Sequence, residues 1–104
     1  MITEMDVLDE GLPSKVDVRD RAVADAIRRY LDVALDEPAV ASVTTFGLSD
    51  RYTWLEEDFP REDDAARRPL PFDEQLRPKP AYDALTTGLE QARLRDPLWK
   101  PPRC

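Results

Sequence analysis

Eight of the ten prolines lie between Pro60 and Pro102, and only Pro13 and Pro38 precede them. Proline lacks the backbone N–H and clashes with the preceding helical turn, so it ends helices and is kept out of central strands. The first half of the chain can therefore hold continuous elements, while the second must be largely loop and turn. At 104 residues there is room for one small domain. A complete (β/α)8 barrel, at about 250 residues, is excluded.

Charge and residue types narrow the chemistry. Fifteen basic residues stand against 22 acidic ones, a formal net charge of −7. This balance argues against nucleic acid and against an anionic membrane surface as partners, since both demand clustered Lys and Arg. The chain has no histidine, which removes the commonest zinc ligand and the usual serine and cysteine triads, leaving carboxylates as the abundant acid–base groups. Cys104 is the single cysteine and the last residue, so neither an intrachain disulfide nor a thiolate metal cluster is expected. Ile2, Thr3, Glu4, Met5 and Asp6 follow Met1 directly, and no signal peptide is expected without a basic segment and a long apolar one. No apolar run approaches the ~20 residues of a membrane span.

Residues Met1–Leu8 alternate apolar and polar positions in the manner of a short strand, ended by Gly11 and Pro13. From Asp17 to Asp36, Val23, Ala26, Ile27, Tyr30, Leu31, Ala34 and Leu35 recur at three- and four-residue spacing, which predicts a helix with one buried stripe. Ala39–Phe46 is rich in β-branched residues and reads as a well-buried strand between Pro38 and Gly47. Pro80 suits a first helical turn, and Ala81, Leu85, Leu89 and Ala92 predict a helix to about Leu94, with Arg93 and Arg95 near its end. This order makes the two strands parallel neighbours. The stretch from Gly47 to Lys79 shows no periodicity, yet carries Tyr52, Trp54, Phe59 and Phe72. A loop of that length is a functional lid, a binding loop or disorder, and its aromatics argue against disorder.

Glu4 and Asp6, two apart on a strand, would share one face, with Thr3 and Met5 on the other. Such a pair either forms a perturbed site able to supply a nucleophile with a supporting acid, or sits in solvent on a sheet edge. Tyr52 and Trp54 would share one side of an extended segment, where they either stack on a sugar ring or anchor the loop. Arg67, Arg68 and Lys79, beside acidic neighbours, read as surface salt-bridge partners worth little each. The run Glu56, Glu57, Asp58, Glu62, Asp63 and Asp64 lacks the alternating ligands and central glycine of a calcium loop and reads as a solvated face. No metal or other cofactor is expected.

The segment Ile2-Thr3-Glu4-Met5-Asp6-Val7 resembles the nucleophile strand of glycoside hydrolase family 10, the retaining endo-β-1,4-xylanases. Val43 to Trp54 resembles that family's eighth strand and following loop, and Leu70-Pro71-Phe72-Asp73 with Arg77 to Leu85 is similar to the approach to its last helix. The resemblance implies the last two βα units of a (β/α)8 TIM barrel (strand 7, helix 7, strand 8, helix 8) over residues 1–95, and a proline-rich tail over 96–104. It implies Glu4 as the nucleophile and Asp6 as a carboxylate supporting it through a histidine. Phe46 and Trp54 fall where the family has two tryptophans walling the sugar subsites, and Tyr52 and Arg51 complete the candidate substrate-binding set. The implied substrate is β-1,4-xylan or its oligosaccharides, and the implied parent is secreted or periplasmic. A retaining glycosidase needs a second carboxylate about 5–5.5 Å away, which the family carries on strand 4. Barrel strands 1–6 are therefore an implied requirement, and the chain alone is expected to be inactive. The competing expectations are a non-catalytic carbohydrate-binding remnant and a small acidic α/β interaction module.

Overall fold

The computed structural model describes residues 1–92. The expected tail from Asp96, and the end of the second helix at Arg93 and Leu94, lie outside the described residues. Four principal elements follow one another: strand β1 (Ile2–Met5), helix α1 (Val16–Ala34), strand β2 (Val43–Thr45) and, after a 3-10 turn at Asp50–Tyr52 and the short helix α2 (Leu55–Asp58), helix α3 (Pro80–Glu90). The strands are parallel, with Ile2 opposite Val43 and Met5 opposite Thr45. No helix of the described residues is long and apolar enough to cross a membrane.

Val23, Ile27 and Leu31 of α1, and Leu35 just beyond it, repeat every fourth residue and are buried along one face. That face packs on α3 at Ala81 and Gly88. Pro80 stands in the first turn of α3, where its missing N–H costs nothing. The stripe is narrower than the sequence suggests: Tyr30 and Leu89 are exposed. A β-carbon on Gly88 would lie 2.9 Å from Leu31 Cδ1, so the glycine lets the leucine fill the seam between the helices.

Both strands are shorter than expected, and their burial differs too. Only one face of the two-stranded sheet is covered by the helices, so Val43 and Thr45 are half-buried and Thr44 is exposed, in place of a well-buried strand. In β1 the strict alternation fails. Three steps from Ile2 to Met5 oppose two from Val43 to Thr45, and the extra residue is taken up at Glu4, which has φ +60°. Thr3 and Glu4 are consequently both exposed, so Thr3 does not join Met5 on a covered face.

The stretch 47–79 is neither periodic nor loose. It is pinned by buried ions, which overturns the reading of Arg67 and Lys79 as surface partners. Asp9, with no exposed surface, accepts from Arg67 Nη1 at 3.0 Å and from the Arg68 backbone N–H at 3.1 Å, and lies 3.4 Å from Arg19 Nε. Arg61 Nη1 donates to the Asp9 carbonyl, and its Nη2 to Leu12 O at 2.6 Å. Lys79 Nζ spends its three protons on Asp50 Oδ2 (2.7 Å) and the carbonyls of Arg68 and Leu70 (both 2.9 Å). Burial pushes the Lys79 ammonium down and the Asp50 carboxyl up, and their mutual bond opposes both shifts. Arg68 alone of the three cations is partly open, forked onto Asp20 at 2.7 and 2.9 Å. The side chains of the acidic run are exposed, and two have local partners: Glu56 accepts the Arg67 N–H and Asp63 accepts Arg61.

Candidate active site

Parallel strands direct their carboxyl ends to one edge, and here the edge collects the candidate residues. Asp6 and Phe46 are the first residues beyond β1 and β2, joined through the Phe46 N–H, which donates to Met5 O at 2.8 Å. Trp54 is brought back onto them by the 3-10 turn, which Ser49 opens by accepting the Arg51 N–H. Its indole Nε1–H donates to Asp6 Oδ2 at 2.9 Å. The Trp54 ring lies 6.0 Å from Phe46 at 62° and 5.5 Å from Phe59 at 88°, both edge-on contacts.

Asp6 is half-buried and its carboxyl is pushed up. Burial is the main cause, the bond from Trp54 opposes it, and the negative charge of Glu4 adds to it. Asp6 thus lies within reach of the Glu4 charge, although β1 does not present the pair by simple alternation. Glu4 is exposed and stands in the left-handed backbone region, a conformation that costs a residue with a β-carbon roughly 1–2 kcal/mol. Residues of that kind concentrate at functional sites. Glu4 and Asp6 line an open groove of about 450 Å³ between β1 and α1, walled by Met5, Ile27 and Tyr30.

The remaining candidates divide. Phe46 and Trp54 keep 41% and 39% of their surface exposed while touching each other, so ring faces remain open at the strand ends. Tyr52 does not share a side with Trp54, because the segment is a turn, not a strand. Tyr52 is 77% exposed, and its ring carries the Arg51 guanidinium 5.6 Å from its centre. Phe59 is the site residue that sequence reasoning left without a role. It stands five places from Trp54, a spacing that matches neither helix nor strand neighbours, so no local signal marks the pair.

A parallel βα arrangement with carboxylates and partly exposed aromatic rings near its strand ends offers the edge at which parallel α/β folds place their sites. Residues 1–87 match glycosyl hydrolase family 10. Endo-1,4-beta-xylanase 5 of Pyricularia oryzae is 35% identical over 98 residues, which cover 91% of this chain and 22% of that protein. Endo-1,4-beta-xylanase B of Thermotoga neapolitana is 35% identical over 92 residues, covering 86% of this chain and 25% of that protein. Among solved structures, xylanase 10B from Thermotoga petrophila, in complex with xylobiose, superposes with a TM-score of 0.71 at 33% identity, over 86% of this chain and 26% of that one. The chain belongs to glycosyl hydrolase family 10, and it spans about a quarter of the length of these relatives.

Proposed function

We propose that residues 1–95 form the last two βα units (strand 7, helix 7, strand 8, helix 8) of a TIM-barrel retaining endo-1,4-beta-xylanase, with Glu4 as its nucleophile. The observation that supports this reading is that the Trp54 indole N–H bonds Asp6, which shares one open groove with Glu4. A Glu4 carboxylate oxygen attacks the anomeric carbon of a xylosyl unit as the glycosidic C–O bond breaks. The departing oxygen takes a proton from an acid, and water then hydrolyses the glycosyl ester, returning Glu4. Phe46, Trp54, Tyr52 and Arg51 offer the faces on which xylan or xylo-oligosaccharides would rest.

The acid is assigned to barrel strands 1–6, which these residues do not include. Two features favour a partner of that kind. The 450 Å³ groove runs along β1, a second of about 140 Å³ lies at the start of β2 between Val40, Val43, Leu89 and Ala92, and among the described residues each strand has one edge without a strand partner. Unpaired edges of a parallel sheet are templates for further strands.

The test is complementation. The chain is mixed with the strand 1–6 portion of a relative, and release of xylo-oligosaccharides is followed. We expect no hydrolysis by the chain alone, hydrolysis by the mixture, and none when the chain carries Glu4→Gln. Hydrolysis by the chain alone would overturn the assignment of the acid elsewhere. Activity surviving Glu4→Gln would overturn the nucleophile.

A further inference from the structure

The indole of Trp54 is positioned by a circuit that begins and ends in the few residues after β1. Asp6 accepts its N–H. Three residues further on, buried Asp9 accepts from Arg67 Nη1 at 3.0 Å, while Glu10 accepts from Arg67 Nη2 at 2.7 Å. Arg67 in turn donates from Nε to the backbone carbonyl of Phe59 at 2.6 Å. The Phe59 N–H is also fixed, donating to Leu55 O at 2.9 Å. With its backbone held at both ends, Phe59 sets its ring at 88° to the indole, 5.5 Å away. Phe46 approaches the same indole at 6.0 Å, but it follows β2 and is fixed by the sheet. The stretch 47–79 thus reaches Asp6 through a single hydrogen bond, whose direction depends on how the indole plane is turned.

We propose that Phe59 is a positioning residue: carried by Arg67, its ring turns the Trp54 indole so that the N–H meets Asp6. This rests on the reading of Glu4 and Asp6 as the site and adds a residue that touches neither substrate nor either carboxylate. Half of the Phe59 surface is exposed, so its ring is available for substitution without opening the helix seam.

The experiment uses the full 104-residue chain without sugar. Trp54→Phe assigns the indole N–H resonance, because the sequence holds a second tryptophan, Trp99. Hydrogen exchange of the Trp54 indole N–H is then compared in the parent chain, Phe59→Ala and Phe59→Tyr. Loss of one edge-on ring pair should quicken exchange about three- to tenfold in Phe59→Ala, and Phe59→Tyr should retain the parent rate. The Asp6 carboxyl, faced by Glu4 from β1 and by Trp54 from the loop, should titrate at higher pH in Phe59→Ala because it loses the bond that lowers it. Phe59→Leu, which keeps apolar bulk and drops the ring, replaces Phe59→Ala if the latter unfolds. Parent-like exchange in the truncated variant, or failure of Phe59→Tyr to retain it, would overturn the proposal. No xylan enters this measurement, so its failure removes the brace and leaves the nucleophile assignment standing, while failure of complementation leaves the brace standing.

Discussion

The helix seam and the stretch 47–79 solve the same problem with opposite chemistry. Between α1 and α3, burial is apolar and graded: Val23, Ile27, Leu31, Leu35 and Ala81 each remove surface from water, and each can lose a methyl without stranding a charge. Between the turn after β1 and residues 47–79, charged groups are buried beside Leu55 and Leu70. Arg19, Arg67, Asp9 and Lys79 are 1%, 2%, 0% and 4% exposed, and every one depends on a partner more than ten positions away, through bonds that have no partial form. The seam tolerates substitution by degrees. The ionic region is specified partner by partner, and it holds the loop that carries Trp54.

The largest effect is expected where that specification is broken on one side. Lys79→Met leaves Asp50 buried with the Leu70 N–H as its remaining donor. Removing one member of a buried ion pair costs about 3–5 kcal/mol, a large share of the stability of a small domain. Chemical denaturation should show the transition shifted by that amount or lost. Asp50→Leu combined with Lys79→Met should recover part of the loss, since no charge is then stranded. Recovery should stay incomplete, because the carbonyls of Arg68 and Leu70 lose their donor at about 1–3 kcal/mol each. Full recovery would show that the ionic region behaves as the seam does.

The seam itself supplies the next effect. Leu31→Ala removes a side chain with no exposed surface and should cost about 2–5 kcal/mol by the same measurement. Gly88→Ala placed on that background should return about 0.5–1 kcal/mol, the usual gain of alanine over glycine inside a helix. In the parent chain the gain is opposed, because the added carbon would meet Leu31 Cδ1 at 2.9 Å. A double-mutant cycle with no coupling between the two positions would show that the helices are not in register at this point.

The contrast also explains what could be read from the sequence. Val23, Ile27, Leu31 and Pro80 announce their helices because helical periodicity is a local property, and the parallel pairing follows from the order of the elements. Arg67 and Lys79 look like surface residues because a charge beside other charges carries no local sign of burial; their partners come from another element. Glu4 and Asp6 were legible as a pair, but the bulge at Glu4 was not, since nothing in a strand of mixed polarity marks the residue that takes up the extra step. Trp54 was legible as an aromatic that either stacks on a sugar or anchors its loop, whereas its bond to Asp6 spans 48 positions. The site was visible as residue types, and its wiring was not.

The smallest effect sits at the rim of the ionic region and depends on pH. Asp73 Oδ1 accepts the N–H groups of Arg77 and Gln75, both at 2.9 Å, and Oδ2 accepts Arg77 Nε at 2.9 Å. The backbone bond from Arg77 is the main cause that holds its carboxyl below 3.8, the usual value. A carboxyl lowered in the folded state binds fewer protons there than in the unfolded chain, so the stability it contributes is present above the unfolded value and is lost as pH falls through the folded one. Asp73→Asn should therefore be less stable than the parent at neutral pH, and the gap should close as pH falls below 3.8. Thermal unfolding of both chains across that range measures it. A gap that stays constant down to the lowest pH would mean that the 73–77 turn depends on the shape of the side chain and not on its charge. In that case the rim would behave as the helix seam does, and the ionic mode of burial would stop at Asp50 and Lys79.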